Sequence, residues 1–386
     1  MIHTSDGASG ASAGQHEKGT VPGRRRFLYC GAAALAAAGV AGAFLWRQEP
    51  PARIKGKLLR TLKDHAWFGR TWFTPDGTTL VTSSYQRKKV AFWDLATGEC
   101  LRTLEPRNAG AMSANQDGTR LVVAGDGHAT LWDPRTGHLL KEMRPGFLLS
   151  EAVLFSPDDS VIAIAGSQPE IYLWSSDGER IARLEGHSAR VWQVAFSPDS
   201  TLLASCGPDG SVRLWDAKTG KPGQVLTDER ETISDVAFSP DGRWLASADM
   251  GSIVRVWDVA TGEQLHTLDG KTSRLAFRPT GRPLLATSIR SGGPLRLWGH
   301  DRVWSATTML EKSQSEAMAF SPDGSFLATG VGVKGDLALW DGTTGAELAV
   351  LTGHTRPVTD VAFNADATML ATVSADETVK VWSIAR

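Results

Sequence analysis

Tryptophan recurs along this chain at a nearly constant interval, and that interval constrains the fold more than any other feature. Successive gaps between eight of the tryptophans are 39, 42, 41, 42, 41, 42 and 42 residues. A period of about 40 to 45 residues, divided into short apolar runs and turns, is typical of one four-stranded blade of a β-propeller. The eight residues are Trp93, Trp132, Trp174, Trp215, Trp257, Trp298, Trp340 and Trp382.

The segments between these tryptophans predict hairpins. Residues 202–205 and 212–215 are short apolar runs, and they are separated by Pro208-Asp209-Gly210. A second turn, Ser-Pro-Asp-Gly at residues 239–242, recurs in varied form in the other repeats. Proline presets the second residue of such a turn, and glycine takes the left-handed backbone conformation that follows. Strands joined by tight turns therefore fill each repeat.

The length of the repeat region sets the number of blades. Residues 57–386 comprise 330 residues, which eight repeats of about 41 use almost completely. We predict an all-β, eight-bladed propeller of four-stranded antiparallel blades, preceded by one N-terminal hydrophobic helix. Seven blades plus an irregular segment is the alternative. The chain stops four residues after Trp382, so the last blade lacks an outer strand of its own.

The residues around the tryptophans resemble the WD-repeat β-propeller family, over residues 57–386. Gly-His, which opens a family repeat, occurs at residues 186–187 and 353–354. Family members close the ring by lending an N-terminal strand to the final blade, so residues 57–62 are expected to pair with residues 379–382. The family's Trp-Asp pair stands at Trp93-Asp94, Trp132-Asp133, Trp215-Asp216, Trp257-Asp258 and Trp340-Asp341.

The resemblance also implies hydrogen-bonded sets of four side chains that tie a blade together. A His-Ser-Asp set is equally a feature of hydrolases, but the recurrence of the set in two blades favours a structural role, in which the aspartate accepts from both indole and imidazole. Blade 5 has Gly251 and Glu229 at the aspartate and histidine positions. The two full sets are His187, Ser205, Asp209 and Trp215 in blade 4, and His354, Thr372, Asp376 and Trp382 in blade 8.

A binding surface is expected at the top face, where the inner strands begin around the central channel. Trp192 stands out there, because a large aromatic side chain on that rim is expected to be partly exposed, and such side chains anchor interfaces. Glu151 and Glu316 put two carboxylates on the same rim, with Arg190 and Arg356 in the loops that precede it. A solvated rim without a ligand is the alternative. The rim column is Gly69, Gly110, Glu151, Trp192, Ser234, Ser273, Glu316 and Thr359.

The N-terminal 56 residues form separate segments. Residues 1–23 are rich in Gly, Ser and Ala and read as a disordered leader. Residues 24–46 resemble a twin-arginine export signal, with Arg24, Arg25, Phe27 and Leu28 as its core. Residues 28–46 are a run of nineteen almost charge-free residues, long enough for a helix to span a bilayer. Residues 47–56 form a proline-bearing linker to the propeller at 57–386. Export or anchoring on the outer, periplasmic or cell-surface side is expected; an anchor with a cytoplasmic propeller is the alternative.

Composition narrows the function further. The net charge is −1, with both signs interspersed, so no nucleic-acid partner is expected. The spacing of Cys30, Cys100 and Cys206 predicts neither a disulfide nor a metal site, and no cofactor is expected. We predict a noncatalytic, monomeric platform for protein partners at a bacterial-type membrane. An enzyme or small-ligand binder at the channel mouth, or one part of a larger assembly that uses the side faces, is the alternative.

Overall fold

The predicted apolar runs form 32 β-strands in the part of the chain that the computed structural model describes. These residues belong to one compact unit, Pro50–Arg386. The predicted leader, export signal and hydrophobic helix, residues 1–46, lie outside the described residues. The described residues are 54–63, 69–84, 86–106, 109–146, 150–226, 231–251, 253–269, 272, 274–288, 293–300, 304–313, 317–332 and 334–385.

The strands form eight four-stranded sheets, so the predicted eight-bladed all-β architecture is confirmed. Blades 1 to 4 consist of β2 Thr71–Phe73, β3 Thr79–Ser84, β4 Lys89–Asp94 and β5 Cys100–Leu104; β6 Ala111–Ala114, β7 Leu121–Gly125, β8 His128–Asp133 and β9 His138–Met143; β10 Ser150–Phe155, β11 Val161–Gly166, β12 Ile171–Ser175 and β13 Arg180–Leu184; and β14 Gln193–Phe196, β15 Leu202–Cys206, β16 Val212–Asp216 and β17 Pro222–Val225.

The remaining blades follow the same order from inner to outer strand. Blades 5 to 8 consist of β18 Ile233–Phe238, β19 Trp244–Asp249, β20 Ile253–Asp258 and β21 Gln264–Asp269; β22 Arg274–Phe277, β23 Leu284–Ser288, β24 Gly293–His300 and β25 Trp304–Ser313; β26 Met318–Phe320, β27 Phe326–Val331, β28 Asp336–Asp341 and β29 Glu347–Leu351; and β30 Val358–Phe363, β31 Met369–Ser374, β32 Thr378–Ala385 and β1 Lys55–Lys63.

The hydrophobic core is a ring of clusters that lie between neighbouring blades. Val81 of blade 1 packs with Leu121 of blade 2, and each following junction has its own cluster of buried side chains. Leu80 of blade 1 and Val381 of blade 8 share the cluster that closes the ring. A blade thus buries both faces of its sheet only when it has two neighbours, as expected for a repeat architecture.

The predicted turns have the hydrogen bonds that their residue types allow. In blade 5, Gly242 lies at φ 70° and its amide donates to the Ser239 carbonyl at 2.9 Å. The Ser239 hydroxyl donates to Asp241 at 2.6 Å and accepts from the Trp244 amide at 2.9 Å. Side chains therefore satisfy the turn's backbone groups and fix where the second strand begins.

The ring closes through the N-terminal strand, as the sequence predicts. β1 pairs antiparallel with β32, with Leu58 opposite Trp382 and Leu62 opposite Val379. The strand extends beyond residues 57–62 at both ends, beginning at Lys55. Leu62 is buried in the closing cluster. Because β1 covers the outer edge of β32, the backbone groups along that edge are paired.

Strand direction defines the two faces of the propeller. All eight inner strands begin at one face, called the top face here, and since the blades are antiparallel the turns between second and third strands lie there too. The turns between first and second strands lie at the opposite, bottom face.

Candidate binding face and the side chains that support it

The four predicted side chains of blade 4 form one hydrogen-bonded chain. Nδ1 of His187 lies 2.8 Å from Asp209, and Nε2 lies 2.7 Å from the Ser205 hydroxyl. The Trp215 indole donates to the same hydroxyl at 2.8 Å. The shared partner of indole and imidazole is therefore Ser205, which corrects the expectation that Asp209 accepts from both. The reason is register: Ser205 lies on the second strand two residues beyond Leu203, the strand partner of Trp215, and so on the same face of the sheet as the indole.

Blade 8 repeats this geometry with threonine. His354 lies 3.0 Å from Asp376 through Nδ1 and 2.8 Å from Thr372 through Nε2, and the Trp382 indole donates to Thr372 at 3.0 Å. Burial lowers the pKa of His354, so the ring is neutral at pH 7. Burial opposes ionisation of Asp376, but hydrogen bonds, first from Thr378, hold its pKa below the ordinary value. A neutral ring that donates through Nδ1 must accept at Nε2, so the Thr372 hydroxyl donates to it.

Blade 5 has a different tie. The Trp257 indole donates to Ser247 at 2.9 Å, as in blade 4. In place of the histidine and turn aspartate, Arg255 on the third strand forms a buried ion pair with Asp249 at 2.8 Å. Asp249 also accepts from the Ile253 amide at 2.8 Å, so its second oxygen is satisfied. Glu229, which occupies the histidine position in the sequence, lies outside the described residues.

Blades 2 and 3 lack the hydroxyl that receives the indole. Trp132 and Trp174 have buried Nε1 atoms to which the described residues offer no hydrogen-bond partner. In blade 4, Leu203 on the second strand pairs with Trp215, and Ser205 lies two residues further along that strand. The equivalent positions on the second strands of blades 2 and 3 are Val123 and Ile164. These apolar residues leave each indole N–H without an acceptor.

The predicted rim residues lie at the top face where the structure describes them. Trp192 is half-buried, and its amide donates to the Cys206 carbonyl at 2.9 Å. The Arg190 guanidinium stacks over its ring, 5.1 Å from the centroid. Thr359 is half-buried and Arg356 is exposed. Glu316 and the side chain of Glu151 lie outside the described residues, so the structure does not test a carboxylate pair on the rim.

The residue after each rim position lines the central channel, a feature that the sequence reasoning missed. The channel encloses about 390 Å³. Its column holds four charged side chains, three alanines and one glutamine, and a charged residue directly after the rim position, where other blades have alanine, is the signal that could have found it. The column, in blade order, is Arg70, Ala111, Ala152, Gln193, Asp235, Arg274, Ala317 and Asp360.

Two aspartates of this column bind the backbone of the next blade. Asp235, 4% exposed, accepts from the Leu275 amide of blade 6 at 2.9 Å. Burial raises the pKa of Asp235, while the Arg274 charge opposes that rise. Asp360 accepts from the Thr71 amide of blade 1 at 2.8 Å. The same column position thus joins blade 5 to blade 6 and blade 8 to blade 1.

Other candidate chemistry is sparse in the described residues. Cys100 is exposed, Cys206 is buried, and both are free thiols; Cys30 lies outside the description. No group of three or more His, Cys, Asp or Glu side chains within it has the geometry to hold a metal ion.

Eight four-stranded blades around a channel define a repeat-built β-propeller. The family described as WD domain, G-beta repeat matches residues 98–133, 178–216, 220–258, 292–341 and 345–383. These segments cover more than half of the chain, which therefore belongs to this family.

Several proteins with such repeats are similar to parts of the chain. Protein ROOT INITIATION DEFECTIVE 3 of Arabidopsis thaliana is 30% identical over 129 residues, which are 30% of this chain and 29% of that protein. Target of rapamycin complex subunit wat1 of Schizosaccharomyces pombe is 34% identical over 109 residues, 28% of this chain and 34% of that protein. Periodic tryptophan protein 2 of Saccharomyces cerevisiae is 34% identical over 77 residues, which are 20% of this chain and 8% of that protein. The chain thus spans at most 34% of these relatives.

The N-terminal segment has a match of its own. The family described as Ubiquitinol-cytochrome C reductase Fe-S subunit TAT signal matches residues 14–46. This supports the resemblance to a twin-arginine signal at Arg24, Arg25, Phe27 and Leu28, which lie outside the described residues. Within the described residues, no helix has the length and apolar character needed to cross a bilayer.

Proposed function

We propose that the protein is a noncatalytic platform for protein partners that is exported through a twin-arginine route, or anchored on the outer side of the membrane. The observation that carries the platform is Trp192, a half-buried indole at the mouth of the channel with Arg190 stacked on its ring. Trp and Arg are the residue types that dominate binding energy at interfaces. Here they stand together on one rim.

The geometry around Trp192 suits an anchor. Its backbone is fixed by the hydrogen bond to the Cys206 carbonyl, and the stacked guanidinium limits its rotamers. A side chain ordered before binding loses little conformational entropy when a partner covers it. The relatives named above include a subunit of a complex by its title, and this supports a role in protein assembly.

The alternative of a hydrolase at the His-Ser-Asp set is disfavoured by burial. Ser205 is fully buried, and its hydroxyl already contacts both His187 and Trp215. A nucleophile must reach substrate and needs an oxyanion site beside it. An enzyme or small-ligand binder at the channel mouth remains the second candidate, and the charged channel column is what favours it.

Site-specific photocrosslinking tests the platform in the native host. A photoreactive residue in place of Arg356, on the exposed top face, is expected to trap a partner, and Trp192→Ala is expected to reduce the yield at least about tenfold, as for an interface hot spot. Trp244→Ala is the matched control, since Trp244 is a half-buried indole at the bottom face. Equal crosslinking by both alanine variants would remove the top face from the proposal.

Export is tested by changing Arg24 and Arg25 together to lysine, with a reporter fused after the last residue. The twin-arginine pathway reads the arginine pair and not only its charge, so the reporter is expected to stay inside the cell. A reporter that reaches the outer side unchanged would contradict the twin-arginine route. A wild-type fusion found only inside would instead support the cytoplasmic, anchored alternative.

A further inference from the structure

Two arginines occupy the same column of the channel, and their surroundings differ. Arg70 in blade 1 forms an ion pair with Asp360, at 3.5 Å. Arg274 in blade 6 is half-buried and lines the channel, but within the described residues its guanidinium has neither a hydrogen bond nor an ion pair. Its charge acts on Asp235 without direct contact. Arg274 thus presents donors to the channel that none of the described residues occupies.

The described residues leave space beside Arg274. Blade 7 has Ala317 at the same column position, so the described part of the column places no long side chain on that side of the guanidinium. Blade 5 holds the Asp235 carboxyl away from it, because that carboxyl accepts from the amides of Leu275 at 2.9 Å and Val236 at 3.0 Å. Arg274 lies one residue after the rim position of its blade, at the start of the inner strand, so its backbone is at the end of the channel that opens on the top face.

We propose that Arg274 binds a carboxylate that an acidic residue of the protein partner inserts into the channel mouth. A planar guanidinium with free donors matches a carboxylate, which it can bind through two parallel hydrogen bonds. A doubly charged phosphate suits the channel less, because Asp235 and Asp360 line the same channel and repel the second charge. This inference rests on the proposed function and names the group that the partner presents.

The position of Trp192 agrees with such an insertion. Trp192 stands on the rim of blade 4, directly before Gln193 of the channel column, and Arg274 belongs to the same half of the ring. A partner that covers the indole can thus place a neighbouring acidic side chain over the channel. The apolar anchor supplies affinity, and the charge-assisted contact fixes the register of the bound segment.

The site is tested on the purified propeller with small probes, observed by ligand NMR. N-acetyl-glutamate N-methylamide is expected to bind weakly, and the uncharged glutamine analogue and inorganic phosphate are expected to bind at least about tenfold more weakly. Arg274→Gln is expected to weaken binding of the glutamate probe about tenfold or more. Arg274→Lys is expected to weaken it less, because lysine keeps the positive charge but cannot form two parallel hydrogen bonds to the carboxylate. Asp235→Asn is expected to strengthen it about threefold by removing a nearby negative charge.

Arg296→Gln is the matched control. Arg296 lies on the third strand of the same blade, and its side chain packs on Trp298, so the substitution changes the net charge equally without touching the channel. Circular dichroism melts confirm that each variant is folded. Equal binding of the glutamate probe by wild type and a folded Arg274→Gln variant, or equal binding of the glutamine analogue, would overturn the carboxylate site.

Crosslinking to the partner distinguishes failure of the carboxylate site from failure of the platform. Crosslinking from position 356 is expected to fall in Arg274→Gln and to persist in Arg296→Gln. If the glutamate probe requires Arg274 but crosslinking does not, the carboxylate is not carried by that partner, the inference fails, and the platform stands. If the probe requires Arg274 and no partner is trapped at all, the platform fails while the channel site stands as a site for small carboxylates.

Discussion

Replacing Ser205 with alanine separates the two hydrogen bonds that meet at its hydroxyl, and blade 5 supplies the comparison. Ser205 and Ser247 stand at the same strand position, ten residues before their tryptophans, and both are buried. Among the described residues, Ser247 accepts only from Trp257, whereas Ser205 accepts from Trp215 and also contacts His187. The two substitutions remove the same atom and differ by one partner.

The expected magnitudes follow from the number of polar atoms left without a partner. An orphaned buried donor or acceptor costs about 1–3 kcal/mol. Ser247→Ala orphans the indole N–H alone, so about 1–3 kcal/mol is expected. Ser205→Ala orphans the indole and Nε2 of His187, so about 2–6 kcal/mol is expected. Within the described residues, the Ser205 hydroxyl has one further hydrogen-bond contact, to the Arg213 carbonyl at 3.5 Å, and a carbonyl cannot donate to Nε2.

Equilibrium unfolding in urea measures the difference, from the midpoint at an unchanged m-value. Coincident transitions by tryptophan fluorescence and far-ultraviolet circular dichroism establish whether a single unfolding free energy applies to the ring. Ser205→Ala should exceed Ser247→Ala by about 1 kcal/mol or more. If the two variants agree within about 0.5 kcal/mol, the imidazole gains nothing from Ser205, and the chain of four side chains is not the unit that stabilises blade 4.

Three further perturbations test other parts of the propeller. Val123→Thr gives the orphaned indole of blade 2 an acceptor and should raise the urea midpoint, by about 0.5–1.5 kcal/mol in unfolding free energy, whereas Val122→Thr, equally buried, should lower it. Burial lowers the pKa of His354 in the folded protein, so the unfolded chain takes up a proton first as pH falls below about 6.5. The free energy of unfolding should therefore fall below that pH in wild type and fall less in His354→Asn. Parallel pH profiles of the two proteins would contradict this. A chain beginning at residue 64 lacks β1 and should aggregate, while one beginning at residue 51 should be a soluble monomer; equal melting temperatures would show that the ring closes without β1.

The sequence predicts the architecture well because the repeat carries its information many times over. Each blade has its own tryptophan and turn, so one degraded copy, as in blade 6, does not change the phase of the others. The closing strand was also predictable, since residues 57–62 match an outer-strand segment and the final blade lacks one.

The channel column escaped the sequence analysis for a physical reason. The inner strand is the edge strand of its blade and faces the channel, so consecutive residues such as Asp235 and Val236 both line it. Counting back four residues from the conserved phenylalanine selects one position of each inner strand, Ser234 in blade 5, and misses the next one. The alternation of side chains along a strand does not show which consecutive residues line a channel at its edge.

The tie of blade 5 escaped for a different reason. Asp249 lies two residues before the turn position Gly251, and its partner Arg255 lies on the third strand, so neither stands where the family pattern places an aspartate and a histidine. The three-dimensional contact replaces the motif. The family pattern shows no histidine or aspartate at its expected positions in blade 5, although Asp249 and Arg255 form a buried ion pair in that blade.

Departures from the repeat pattern are of two kinds: some are compensated by other contacts within the blade, and some are not. The uncompensated departures indicate the binding face better than the repeat pattern does. In blade 5 the lost histidine is compensated by the ion pair of Asp249 and Arg255, so the departure preserves stability. Trp192 and Arg274 are departures of the second kind. The Trp192 indole remains partly exposed, and the Arg274 guanidinium has no hydrogen bond or ion pair within the described residues. Both features cost free energy in the isolated propeller, since apolar surface stays in water and a half-buried charge lacks a partner. A bound polypeptide that covers the indole and presents a carboxylate removes both costs at once, which is why the two positions are expected to act as one binding face.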